Sequence, residues 1–207
     1  MTISARIRAD ITELRTYLPS LKYHFLLSLM LFFASIAVGY IYGFFTYSPG
    51  GSVADEFEPL KVVFEWIRNL PAPVATLIVY ANNLKTVLLA ELFGMGLGVF
   101  PVFVIVSNGV LAGLVIHTAT VEKGIIYTAL AILPHGVLEI PMVLLGASIG
   151  LRLGNEAANA LRGRKTDIRR EFLNGMRVFL YIVVPMLLLS AFIEMYVTAA
   201  LVMPLRP

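Results

Sequence analysis

The sequence predicts an all-α fold: a polytopic transmembrane helical bundle of about five spans. Three observations lead there. Of 207 residues, 58% are hydrophobic and only 14% charged, against roughly 45–50% and 25% in a soluble domain. Mean hydropathy is +0.84. The apolar residues gather into runs that match or exceed the roughly 20 residues needed to cross a bilayer as a helix, so the expected solvent is lipid.

Residues 1–24 are basic and polar, with Arg6, Arg8, Arg15 and Lys22 against Asp10 and Glu13, and predict an interfacial helix reaching Pro19. The first span runs from Phe25 to Tyr47 and stops at the turn cluster Ser48-Pro49-Gly50-Gly51. No small-residue cleavage site succeeds this run, so a retained span is expected instead of a signal peptide. Residues 48–72 lean acidic, with Asp55, Glu56, Glu58 and Glu65 against Lys61 and Arg68, beside an apolar rhythm at Phe57, Leu60, Phe64 and Ile67. That pattern predicts an amphipathic segment on the membrane surface, with Trp66 at the headgroups.

From Val74 to His117 the chain is apolar for two crossings. Gly94, Gly96, Gly98 and Pro101 mark the turn, since glycine relaxes the backbone and proline cannot continue the hydrogen-bond ladder. This predicts spans near 74–97 and 102–120, or a sixth crossing if the Gly94–Pro101 segment is re-entrant. After the turn at Glu122-Lys123-Gly124 comes a long span, 125–153, in which Pro134 and Pro141 predict a kink or break. A final span covers about 178–203. Between the last two lies a basic loop, 152–177. Basic segments favour the cytoplasm, so five spans put the N-terminus and 152–177 inside and the acidic segment outside.

Gly146, Gly150 and Gly154, like Gly39 and Gly43, recur every four residues and let another helix approach closely. Packing within the chain is the simpler use, and homodimerisation the alternative. Polar residues inside spans need a partner or a cavity. Asn82, Asn83, Asn108, His135, Glu139 and Glu194 form the candidate polar cluster, Glu91 is a further acid within the second span, and Lys85 is close enough to an interface to snorkel. His135 and Glu139 are one turn apart and share a helix face with Gly146 and Gly150. Asn83, Thr86, Ala90 and Gly94 make a matching stripe, so the two helices are expected to pair.

An imidazole and a carboxylate suit zinc or a similar divalent ion, with His135 and Glu139 as two ligands and Glu194 or an asparagine oxygen completing the set. The plainer reading is interhelical hydrogen bonding. No disulfide or thiolate chemistry is available, because the chain has no cysteine. No H-E-x-x-H, G-x-S-x-G or P-loop motif occurs, so no enzyme is expected. Arg162, Arg164, Lys165, Arg169 and Arg170 are expected to meet anionic lipid or a protein partner, not nucleic acid, since positive-inside topology already accounts for the charge.

The run Leu133-Pro134-His135-Gly136-Val137-Leu138-Glu139-Ile140-Pro141, with Gly146-Ala147-Ser148-Ile149-Gly150-Leu151-Arg152-Leu153-Gly154 after it, resembles the signature of the stage II sporulation protein M family. Asn82-Asn83 and Ser107-Asn108-Gly109 resemble the family's other polar marks, in the same order. Met142 departs from the pattern, standing where a small residue is expected. The resemblance implies an integral cell-membrane protein whose relatives in spore formers act with partners that remodel peptidoglycan. The leading functional expectation is therefore a membrane scaffold that positions envelope proteins. The alternatives are a transporter or channel-like protein using the polar cluster, and a membrane metalloenzyme.

Overall fold

The computed structural model describes residues 3–46, 66–67 and 69–205. Six helices account for nearly all of them: α1 (Ile3–Ser20), α2 (Lys22–Thr46), α3 (Ala72–Leu92), α4 (Val99–Lys123), α5 (Ile125–Leu161) and α6, a continuous helical run over Ile168–Val202. The last five are each long and apolar enough to cross a membrane, and these are the five spans. Most of the amphipathic segment expected over 48–72 lies outside the described residues.

Local chemistry sets the boundaries. Pro71 precedes α3 and Pro73 sits in its first turn, where a missing N–H costs nothing. The α3–α4 connection is a short 3₁₀ turn, Phe93–Met95, and then Leu97 and Gly98 with φ of 57° and 76°. The glycine-rich segment therefore turns the chain between two full spans. Asp167 caps α6, its carboxylate accepting from the Arg170 N–H at 2.9 Å.

The structure narrows two expectations. Of the kink or break expected at Pro134 and Pro141, the break does not occur, as α5 runs through both prolines, because a long helix packed on several neighbours can tolerate the lost ladder bonds. The basic segment 152–177 is mostly helix, with only Arg162–Asp167 outside α5 and α6, so its charges stand at two helix ends. Both ends, together with α1 and the start of α2, form a basic face of the bundle.

α5 is the central element. Its neighbours are α2 and α4 on one side and α3 and α6 on the other. α3 and α5 run in the same direction, pairing Val87 with Gly146, Ala90 with Gly150 and Gly94 with Gly150 and Gly154. A Cβ at Gly150 would overlap the Ala90 carbonyl, so only a small-residue seam permits this approach. α2 and α4 also run in parallel, with Gly39 against the Val110 backbone, Gly43 against His117, and Gly109 and Gly113 against Ser35 and Ile36. Gly39 and Gly43 are thus used within the chain. Met142 packs on a core that joins Leu14 and Tyr17 of α1 and Leu21 of the α1–α2 turn to Val87, Ile149, Val183 and Leu187.

Candidate functional site

Three spans supply the main polar cluster. On α5, His135 and Glu139 lie one turn apart on one face. On α6, Ser190, Glu194 and Thr198 recur every four residues, and the last two belong to a π-helical stretch, Ile193–Thr198. Such wide turns occur mostly as single interruptions of α-helices and often at functional sites. α3 contributes Asn83.

The geometry joins them closely. The Asn83 side chain hydrogen-bonds the Glu139 carboxylate, and the Ser190 side chain lies beside it. The one Ser190 hydroxyl proton goes to the His135 carbonyl at 3.1 Å, and His135 Nδ1 lies 3.4 Å from Thr198 Oγ1. One nitrogen or oxygen from each of His135, Glu139 and Glu194 stands within 4.8 Å of the others. All three residues are half-buried. With Nδ1 facing a hydroxyl, Nε2 is the imidazole nitrogen left for a ligand. Two carboxylates and a neutral imidazole carry two negative charges when ionised, which one divalent cation would neutralise.

Other polar residues go elsewhere. Asn82 is exposed, and its backbone carbonyl accepts from Thr86 Oγ1 at 2.9 Å. Asn108 is also exposed, and its amide returns to the Val104 carbonyl of its own helix at 2.8 Å. The reason is rotational: Gly109, Ile105 and Gly113 turn inward to pack, and one residue's rotation of about 100° carries Asn108 outward. The cluster is therefore Asn83, His135, Glu139 and Glu194, with Ser190 and Thr198 added. Their four-residue spacing with Glu194 was the available sequence signal. Arg162, Arg164, Lys165, Arg169 and Arg170 are all exposed at the basic face.

A second polar assembly ties α1 to that face. The Tyr17 hydroxyl donates to Glu171 Oε1 at 2.5 Å, and Arg152 Nε bridges to the same carboxylate at 2.7 Å. Arg152 also donates to Ser20 and lies 5.1 Å over the Tyr17 ring. Arg177 pairs with Asp10 at 2.8 Å, and Tyr181 donates to Asp10 at 3.2 Å. Burial, reinforced by the hydrogen bond to Glu171, pushes the Tyr17 phenol well above its ordinary range. Below this assembly Glu91 is fully buried, with neither carboxylate oxygen hydrogen-bonded.

Known proteins resemble the chain over most of its length. The sequence model described as stage II sporulation protein M matches residues 28–199. An uncharacterized protein of Methanocaldococcus jannaschii is 26% identical over 181 residues, spanning 86% of this chain and 95% of the relative. A second uncharacterized protein of that organism is 34% identical over 97 residues, which are 47% of this chain and 42% of the relative. No solved structure matches.

Proposed function

The chain belongs to the stage II sporulation protein M family, and from that premise we propose that it is a multi-pass membrane transport protein that binds a divalent cation of the zinc class between α3, α5 and α6. The observation that carries this reading is the approach of His135, Glu139 and Glu194 to within 4.8 Å of one another. Ionisable groups within spans are expensive and usually mark an ion or substrate path. A divalent ion neutralises two carboxylates at once, and nitrogen and oxygen donors at about 2.0–2.2 Å suit zinc. Asn83, hydrogen-bonded to Glu139, orients that ligand. The π-helical turn bearing Glu194 favours transport over a purely structural ion, because transporter sites use interrupted helices. The same reading takes Arg162, Arg164, Lys165, Arg169 and Arg170 as contacts for anionic headgroups and sets the basic face in the cytoplasm.

The test is zinc binding to purified, monodisperse protein in detergent, and then zinc flux into vesicles containing it. About one ion per chain is expected, lost in Glu139→Gln and Glu194→Gln and weakened roughly 10–100-fold in Asn83→Ala, the usual effect of removing a ligand's hydrogen-bond partner. Equal binding by wild type and both glutamine variants would overturn the site. A folded protein that binds no ion would return the reading to the partner-positioning scaffold.

A further inference from the structure

We propose that Glu91 is a separate proton-binding site at the basic end of the bundle, reached from the aqueous pocket above Tyr17 and Glu171. It goes beyond the cation reading and does not depend on it. Glu91 has no exposed surface, and neither of its carboxylate oxygens meets a donor. Gly175 of α6 lies directly against it: a Cβ there would fall 2.5 Å from Glu91 Oε1 and 2.6 Å from Ile149 Cγ2. The acid group thus occupies the space that glycine leaves open.

The ionisable groups around it are engaged with one another. From α1, Tyr17 donates to Glu171; from α5, Arg152 pairs with Glu171; from α6, Glu171 takes both contacts. None of these bonds reaches Glu91. An ionised carboxylate so enclosed would be a bare charge in a poorly polarisable site. A metal ion would find a single protein carboxylate there. A proton needs only one, so a proton is the ligand this position fits.

Water stands close by. Glu171 and Gly175 share a face of α6, four residues or about 6 Å apart along its axis, so the Glu91 carboxyl lies about one turn beneath Glu171. Above it a cavity of about 350 Å³ is lined by Tyr17, Ser20, Arg152 and Glu171, among others. In the opposite direction the way is blocked. Asn83, Val87 and Glu91 recur every four residues on α3, and Val87 between them is fully buried with Val183 and Leu187 in the same core. Glu91 therefore answers to the basic face, apart from the cation cluster. An acid that accepts no hydrogen bond also gives the fold nothing that an apolar residue could not.

Infrared difference spectra of the protein in lipid vesicles at neutral pH test this, with wild type compared against Glu91→Gln and, should that variant fold poorly, Glu91→Leu. The expected result is a carbonyl-stretch band of a protonated acid, present only in wild type, that shifts in heavy water as the proton exchanges. A carboxylate signature at Glu91, or an acid band that does not exchange within a day, overturns the proposal. Zinc stoichiometry of Glu91→Gln is measured in parallel and is expected to equal wild type. A failure of the cation site in wild type would therefore leave the Glu91 result independently readable.

Discussion

Tyr17 fastens α1 to the bundle through one hydroxyl, and its environment gives a pH-dependent forecast. The folded phenol titrates above its unfolded value, so folding favours the protonated ring. This stability is fully present below about pH 10, the unfolded value, and declines as pH rises beyond it. A buried hydrogen bond to a charged acceptor contributes about 1.5–3 kcal/mol. Tyr17→Phe should cost that much at pH 8, and the margin over the variant should narrow above about pH 10, as read from thermal unfolding in detergent. At this scale the sequence was partly legible. The spacing of His135 and Glu139 identified one wall of the cluster, because two residues on one helix need no knowledge of a second. Asn82 and Asn108 were misplaced because polarity alone does not say which way a side chain turns. Glu91 was visible as an acid in a span, but its isolation depends on Gly175 of a distant helix coming to rest against it.

Among the elements, the glycine seams set how the spans pair. Gly113 of α4 has no room for a side chain, since a Cβ would overlap the Ile36 carbonyl of α2. Overpacking a tight contact costs typically about 1–3 kcal/mol, occasionally more, so Gly113→Leu should lower the detergent melting temperature or prevent a monodisperse fold. Gly124→Ala is the contrast: nothing lies within 4 Å of its added Cβ, and its penalty arises only from a positive φ of 84°. The pairing of α3 with α5 was readable from matching stripes of small residues. That of α2 with α4 was half-readable, from Gly39 and Gly43 alone. Where α6 meets α5 was not. Its π-helical turns, Phe179–Val183 and Ile193–Thr198, add residues to the local repeat and rotate the downstream side chains away from the face a regular 3.6-residue projection would assign.

Across the whole molecule, five spans were legible from hydropathy, because the backbone must satisfy its own hydrogen bonds in lipid and long apolar runs leave helix as the answer. The basic residues at one face favour the cytoplasm for that end. Single cysteines at Thr166 and Lys123, at opposite ends of α5, should differ sharply in labelling by a membrane-impermeant thiol reagent added to intact cells, with Lys123→Cys reactive and Thr166→Cys protected. Equal labelling would contradict the topology. The odd number of crossings has one more consequence. Five crossings predict Ile3 and Val202 in different compartments, so a reporter fused after the last helix and one fused before α1 should sample separate chemical worlds.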